Sequence, residues 1–588
     1  SPHGSGSCVL VPRAGRGLPR GGEAALDLHV PQLQLSGPRC HLSCCDPSAS
    51  EVISQTERGT PYIVPPLMPG LEPTVAFGGE EGTYCEGGLA PCTRRKLYWR
   101  LTGVACNAVK FAFRKAGFRR IKSDGFNALW ASALKPEEFR VFNRYQKVNH
   151  FPGTWELGRK DKLSRNVARM RRKFGQDYDI QPRTYILPGD SEEWRTECER
   201  NFAENMYIVK PVASSRGRGI HMLRKPKDIP KDKEVLIQRY IKDPFLIDGY
   251  KFDLRIYVLV TCFDPLKVYL YKEGLVRFAS EKYSQADKTL RKKTMHVTNF
   301  SVNSKTADYD FSEQYDDDSG SKWSLSAFAK RLHEDGHDWE AVWEQIRDIV
   351  VKTMVAVEAN INTLVKMHVP DRRVCYELYG FDILLDSSLR AHLCEVNTGP
   401  ALATPTPLDK HIKFRLVANM LSVVGFVPYE KSKFEHEEEQ KRQARLTGIG
   451  RDPEDAKPKR RDVRSLETFD FGSLPPEHLP EVVAEAEAEY ARRGEFERVF
   501  PSPNPAKNDY YLQFFDSARY DNVLLCNYER YLHDIRTGAR AARVPSARGG
   551  SFRGAAAAVA AALGGPGTPA GGSRTRTPAT PTAAPPFR

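Results

Sequence analysis

Apolar residues recur along the middle of this chain in two periods. Over residues 339–365 (WEAVWEQIRDIVVKTMVAVEANINTLV) they return every three or four positions, which predicts a long helix. DKLSRNVARMRRKFG (161–175) repeats that period on a basic background and predicts a helix ending at Gly175. A further helix is expected over about 408–424. Four other stretches read as strands: MYIVKP (206–211), EVLIQRYI (234–241), KFDLRIYVLV (251–260) and KVYLYKEGLVRFA (267–279). FDPL (263–266) supplies turn chemistry between the last two and predicts a hairpin. YGFDILLDSSLRAHLCEVNTGPAL (379–402) predicts a second hairpin, with strands at roughly 380–385 and 391–396 around a turn near Ser388. PEHLPEVVAEAEAEYARRGEFERVFPS (476–502) reads as an amphipathic helix, packed on the core or folding with a partner.

No internal repeat interrupts this α+β pattern, but its flanks differ in composition. Residues 1–70 are rich in Gly, Pro and Ser, and 538–588 form an Ala/Gly/Pro/Arg tail of low complexity. The expected divisions are a largely disordered segment over 1–93, an N-terminal lobe over 94–205 and a central lobe over 206–300. A C-terminal lobe over 301–428, a basic and helical extension over 429–537 and the tail over 538–588 follow. The chain begins at Ser1 rather than Met, so its natural start is expected upstream. No stretch reaches the length of a membrane span, and SCVLVP is too short for a signal core. Twelve scattered cysteines favour a reducing compartment. Cys40, His41, Cys44 and Cys45 could bind zinc, but no second pair sits at finger spacing. The formal charge of +14 asks for an anionic partner: nucleic acid, a membrane surface or an acidic protein. No RNP1 motif, Cys/His finger or basic zipper supports the first.

The polar residues inside the apolar stretches carry the chemistry. In the 379–402 hairpin, a turn near Ser388 sets Asp382 almost opposite Glu395, with Asn397 on the same face. Like charges facing each other across a sheet repel, and a divalent cation would turn that repulsion into coordination. Two carboxylates and an amide suit Mg²⁺, although a solvated hairpin face with scattered acids would read the same. In YKFDLRIYV (250–258), Lys251, Asp253 and Arg255 share one strand face opposite Phe252, Leu254 and Ile256. That row is either an exposed ion-pair ladder or a site, with Arg277, Thr298, Asn299 and Ser301 as further polar positions. IVKPVASSRGRGIHML (208–223) places a Gly-rich basic loop after a strand, where backbone N–H groups, Lys210 and Arg216 can meet phosphates. It lacks the Walker A pattern.

NHFPG, GRKDKLSRN, IVKPVASSRGRGI, KFDLRIYV, GLVRFAS, HVTNFSVN, GFDILLD and EVNTGPAL occur in the order seen in tubulin–tyrosine ligase-like enzymes. Over about 94–426 the chain resembles that family, and most of all its glutamylase branch of the initiating type. The resemblance implies an ATP-grasp fold with the nucleotide between two lobes. Carried over by motif, Lys210, Arg216, Gly217 and Gly219 would contact or cover the ATP phosphates, Lys210 taking part in catalysis. Gln238, Arg239, Tyr240 and Ile241 would line the adenine side, with Lys251 and Asp253 also binding nucleotide. Arg255 would hold the transferred phosphoryl group as a catalytic residue. Arg277 and Asn299 would face the phosphate or the incoming amino acid, with Lys162 and Lys413 as further substrate contacts. Asp382, Glu395 and Asn397 would hold Mg²⁺.

The implied reaction is attack of a target glutamate side-chain carboxylate on ATP, then capture of the acyl phosphate by the α-amine of free glutamate. The implied partner is tubulin or microtubules, reached through their acidic tails. The place is then cytoplasm and cytoskeleton, including cilium basal body or centriole, with a monomeric enzyme using neither nucleic acid nor membrane. KRQARLTGIGRDPEDAKPKRRDVR (441–464) is the basic segment expected to meet the microtubule. Two stretches depart from the family pattern: Gly399 stands where relatives often have Ser, and ATPTPLD lacks the usual histidine or serine. Both put amino-acid choice in question, so a glycine ligase on the same scaffold is the alternative. A tyrosine ligase, a non-catalytic microtubule binder and a nucleic-acid binder are further alternatives.

Overall fold

Besides a two-stranded pair (Ile63–Val64 with Thr74–Val75), three sheets organise the described residues, and the polar face of the largest looks onto one of the others across a cavity. The structure is a computed structural model that describes residues 63–66, 68–78, 97–212, 218–229, 234–286, 292–298, 300–303, 318, 320–447 and 462–539. The Cys40–Cys45 group, the 540–588 tail and the basic stretch 448–461 lie outside the described residues. The first sheet is parallel, with β1 (Tyr98–Thr102), β2 (Arg119–Arg120), β3 (Ala128–Ala131) and β4 (Lys147–Val148) in the order β2-β1-β3-β4. α1 (Asn107–Lys115) connects β1 to β2. The basic helix appears as α2 (Lys160–Phe174), and Gly175 ends it with φ +61°, a conformation that Gly adopts without a Cβ penalty.

The second sheet is antiparallel: β5 (Thr184–Leu187), β6 (Tyr207–Pro211), β7 (His221–Leu223) and β8 (Val235–Arg239) in the order β5-β8-β6-β7. The third has seven strands, built around the long hairpin β10 (Tyr250–Phe263) and β11 (Leu266–Lys282). β9 (Leu246–Ile247) pairs with β10, and β12 (Lys322–Ser324) with β11. The second predicted hairpin appears as β13 (Glu377–Leu385) and β14 (Ala391–Thr398), with β13 against β10. All these pairings are antiparallel.

Both faces of the large sheet are covered, as the unbroken burial of β10 requires. Leu254, Ile256, Val258 and Val260 share a core with Ile346, Val350, Met354 and Val357 of α3 (Trp339–His368). The other face gives Tyr257 and Leu259 to a core with Leu416, Val417, Met420 and Leu421 of α4 (Pro407–Val424). Both helices begin as the sequence directs: Asp338 accepts from the Ala341 N–H at 3.2 Å, and Thr406 from the Asp409 N–H at 3.1 Å, ahead of Pro407. α4 covers the second face only from Tyr257 onward. Before it, on the same face, stand Arg255, Asp253 and Lys251.

Beyond Phe426 the structure corrects the predicted elements. α5 (Lys431–Thr447) is an unpredicted helix within the charged stretch. The helix expected over 476–502 is confined to α6 (Glu481–Ala491), with Val482, Val483 and Ala486 buried. Phe496–Phe500 instead forms β15, antiparallel to β11 in the large sheet. α7 (Tyr520–Arg536) packs Leu524 and Leu525 against α6. The expected boundaries at 205/206, 300/301 and 428/429 are therefore crossed by sheets, since β5 joins β6 and β8, and β10–β11 join β13 and β15. Strand partners distant in sequence leave no local signature. Among the described residues no helix is long and apolar enough to cross a membrane.

Phe500 is fully buried against Tyr511 and Phe515. Phe500→Ala is expected to cost about 3–5 kcal/mol, measured by denaturant unfolding of the full chain. A loss below about 1 kcal/mol would show that the segment after 462 does not stabilise the core.

Candidate functional site

Strand register places the site residues before any side chain is considered. Arg277 of β11 lies opposite Asp253 of β10 and also opposite Lys322 of β12. Arg255 of β10 lies opposite Asp382 of β13, and Asp382 opposite Glu395 of β14. The result is a charged row running across the strands of the large sheet. Arg255 donates to Asp382 through Nε at 2.6 Å and Nη2 at 3.2 Å. Arg277 donates to Asp253 at 2.7 and 2.5 Å, and its Nη2 lies 3.0 Å from Asp382 Oδ2. All four residues are buried, so the exposed-ladder reading of the 251–255 row is overturned. Burial alone would raise the Asp382 carboxyl, but Arg255 and Arg277 hold it well below the usual carboxylate range. Burial likewise opposes the Arg277 guanidinium, and Asp253 and Asp382 outweigh it, raising its pKa.

The second sheet supplies the facing wall. Lys210 of β6 donates to Gln238 Oε1 of β8 at 2.6 Å, and Gln238 Nε2 donates to Thr184 Oγ1 at 3.0 Å. Between this wall and the charged row lies a cavity. Lys210, Gln238, Arg239, Tyr240, Ile241, Lys251, Asp253, Asp382 and Glu395 of the predicted set line it. Lys251 donates to Tyr240 Oη at 2.8 Å, and the Tyr240 hydroxyl is hydrogen-bonded to His296 Nδ1 at 3.0 Å. Burial pushes the Lys251 ammonium down to about 8, with Lys210 adding to the effect. Burial also lowers Lys210. Lys251 is buried and Lys210 half-buried, and an anionic ligand would relieve the desolvation of both.

Asn397 stands beside the carboxylate pair, its Nδ2 3.4 Å from Asp382 Oδ2 and 3.3 Å from the Gly380 carbonyl. Glu395 is paired with Lys160, at 3.0 Å. Two facing carboxylates and an amide are a donor set that fits one hard divalent cation with water or phosphate completing its shell. No group of three or more His, Cys, Asp or Glu positioned for a metal occurs among the described residues.

Not every predicted residue is brought here. Gly219 is described in the loop after β6, with φ +74°, and a Cβ there would lie 2.6 Å from Pro211 Cγ. Both facts demand glycine. Arg216, Gly217 and Asn299 lie outside the described residues. Lys162 is two-fifths exposed, 3.5 Å from Glu156, and does not line the cavity. Lys413 is buried in α4, pairs with Asp409 at 2.7 Å and donates to the Ala403 carbonyl at 2.7 Å, also off the cavity wall. Gly399 has φ +77° and open space around its Cβ position, so glycine serves the backbone there and not a pocket.

Sequence reasoning missed Lys160, Cys394 and His296. Lys160 precedes Lys162 by two residues, about 200° around the helix, so a motif naming one hides the other. Cys394 should face away from Glu395 by strand alternation. A register shift between Asp382 and Ile383, paired with Glu395 and Leu393, leaves Cys394 as the extra residue of a bulge, and it opens onto the cavity with Glu395.

Residues 139–433 match the tubulin-tyrosine ligase family. The chain belongs to that family. Its α+β architecture is accordingly the ATP-grasp type that the ordered motifs implied. Among relatives of this family, it is 36% identical over 502 residues to tubulin monoglutamylase TTLL4 of Homo sapiens, covering 80% of this chain and 40% of that protein. It is 42% identical over 339 residues to tubulin polyglutamylase TTLL5 of Homo sapiens, covering 57% of this chain and 26% of that protein. It is 32% identical over 512 residues to tubulin polyglutamylase ttll-4 of Caenorhabditis elegans, covering 84% and 81%. The chain thus spans about two-fifths or less of the two human proteins and four-fifths of the nematode one.

The two carboxylates of this family member should differ sharply in stability. Asp382→Asn is expected to cost about 3 kcal/mol or more, because two buried guanidiniums lose their shared anion. Glu395→Gln should cost less than about 1 kcal/mol, its partner being partly exposed. Urea unfolding of both variants checks the order, and equal losses would contradict it.

Proposed function

We propose that this protein is an ATP-dependent ligase that adds glutamate to side-chain carboxylates of glutamates in tubulin tails. The observation that carries the reading is the in-register row from Arg277 through Asp253, Arg255 and Asp382 to Glu395, with Lys251 beside it on β10 and Lys210 facing it from the second sheet across one cavity. The names of the relatives supply the substrate and the amino acid.

In this reading ATP enters as substrate between the second and third sheets, its base toward Gln238–Ile241 and its phosphates toward Lys210 and Lys251. Asp382, Glu395 and Asn397 would hold Mg²⁺, which when bound neutralises phosphate charge. Arg255 and Arg277 are fixed by their carboxylate partners and need no reorganisation to meet the developing charge on the transferred phosphoryl group. The target carboxylate attacks ATP to give an acyl phosphate and ADP. The α-amine of glutamate then attacks the acyl carbon, forming an amide and releasing phosphate. No side-chain nucleophile of the protein is required. The positive charge of the chain, including the basic stretch through 464, suits an acidic tail and a place on the cytoskeleton, whether in cytoplasm, cilium or centriole.

Incubating the protein with microtubules, ATP and labelled glutamate, glycine or tyrosine tests this directly. Glutamate should be incorporated, and Glu395→Gln should lower the rate at least about 100-fold. Glycine incorporation would keep the chemistry and overturn the amino acid; no incorporation of any would overturn the ligase.

Nucleotide affinity should also depend on pH through Lys251. Its ammonium is charged below about 8 and loses its proton above. Binding of a non-hydrolysable ATP analogue should therefore weaken as pH rises, by up to about tenfold per pH unit above the Lys251 pKa. Lys251→Arg, which stays charged, should flatten that profile in calorimetry. An unchanged profile in the variant would remove Lys251 from the phosphate site.

A further inference from the structure

Three carboxylates face the cavity, and they are not neutralised in the same way. Asp382 is bound by two guanidiniums and Asp253 by one, all from strands of the same sheet. Glu395 takes its cation from elsewhere: the ammonium of Lys160, at the first residue of α2, 3.0 Å away. The two side chains are 18% and 23% exposed, so the pair is sheltered but reachable.

Backbone packing determines this contact. The short helix Trp155–Gly158 leads into α2 and lies on β14. A Cβ on Gly158 would come within 2.8 Å of Thr398 Oγ1 and 2.9 Å of its Cγ2. Only glycine allows that approach, and it holds the start of α2 over the strand that carries Glu395. Lys160 also lines a small cavity together with Lys210, Gln238, Cys394 and Glu395. It is close enough to Lys210 to add, after burial, to the lowering of that ammonium.

A divalent cation on Oε2 of Glu395, or on both of its oxygens, competes with the Lys160 ammonium, which lies 3.0 Å from Oε2. Asp382 is held through both oxygens by buried arginines, whereas Glu395 is held by one flexible side chain. We infer that Lys160 is the resident counter-ion of Glu395, a placeholder that the metal displaces when it binds. This rests on the metal assignment proposed above. Displacement leaves the ammonium in the small cavity beside Lys210, the lysine proposed above to meet the phosphates. Lys160 is thus a positioning residue: it neutralises Glu395 in the empty enzyme, as the arginines neutralise Asp382, and delays metal occupancy until an anion arrives to receive the ammonium.

Mn²⁺ titration of the nucleotide-free full chain, read by the electron spin resonance of free Mn²⁺, distinguishes the outcomes. Removing the competing ammonium in Lys160→Met should tighten Mn²⁺ binding about fivefold, while Lys160→Arg should stay near the parent value. Lys160→Gln gives the same reading if the methionine variant fails to fold. Glu395→Gln should weaken binding. If it does so while neither neutral variant at 160 tightens binding, the placeholder role is overturned and the metal assignment stands. If Glu395→Gln binds Mn²⁺ as the parent does, or neither the parent nor the neutral variants at 160 bind any, the metal assignment falls and the placeholder with it.

Discussion

The bidentate contact between Arg255 and Asp382 is the constraint around which the rest of the site is arranged. Burying a carboxylate and a guanidinium in a sheet core is costly unless every polar atom is answered, and here the answering groups come from four neighbouring strands. Arg277 serves Asp253 and Asp382 together, which ties β11, β10 and β13 into one electrostatic unit. A shift of one residue in any of these pairings would turn a charge into the apolar core on the opposite face. The register that stabilises the fold is therefore the register that builds the site.

The same arrangement explains why the site is preorganised. Guanidiniums already locked on carboxylates do not collapse onto one another when the cavity is empty, and they present their remaining donors in fixed directions. Lys210 and Lys251 differ: they sit opposite neutral partners, Gln238 and Tyr240, and are lowered by burial. Around the cavity, Lys160, Lys210, Lys251, Arg255 and Arg277 therefore outnumber Asp253, Asp382 and Glu395. An anionic ligand of phosphate type is the chemistry that such an imbalance accepts.

The chain after Phe426 changes how the molecule is divided. Its high charge gave it the appearance of an appendage, yet β15 extends the large sheet and α6 and α7 form a core of their own beside it. Glu489 of α6 reaches back to Lys267 at 2.5 Å and to Thr261 at 2.8 Å on the central hairpin. The large sheet is thus supported, further along the face that carries the charged row, by sequence that the family motifs do not cover.

Local alternation and helical period sufficed for α2, α3, α4, the strands that carry Lys210, Lys251, Asp253 and Arg255, and the hairpin setting Asp382 opposite Glu395. These depend on interactions among neighbours in the chain, where side-chain period alone assigns the face. The ordered motifs added the family and its fold. Tertiary structure alone decided that the charged row is buried, that β15 is a strand, that Cys394 occupies a bulge, and that Lys160 meets Glu395. Each of those depends on a partner far away in sequence or on a one-residue slip in pairing, and neither leaves a periodic trace. Burial in particular is a property of what covers a strand, and α3, α4 and the second sheet all arrive from distant parts of the chain.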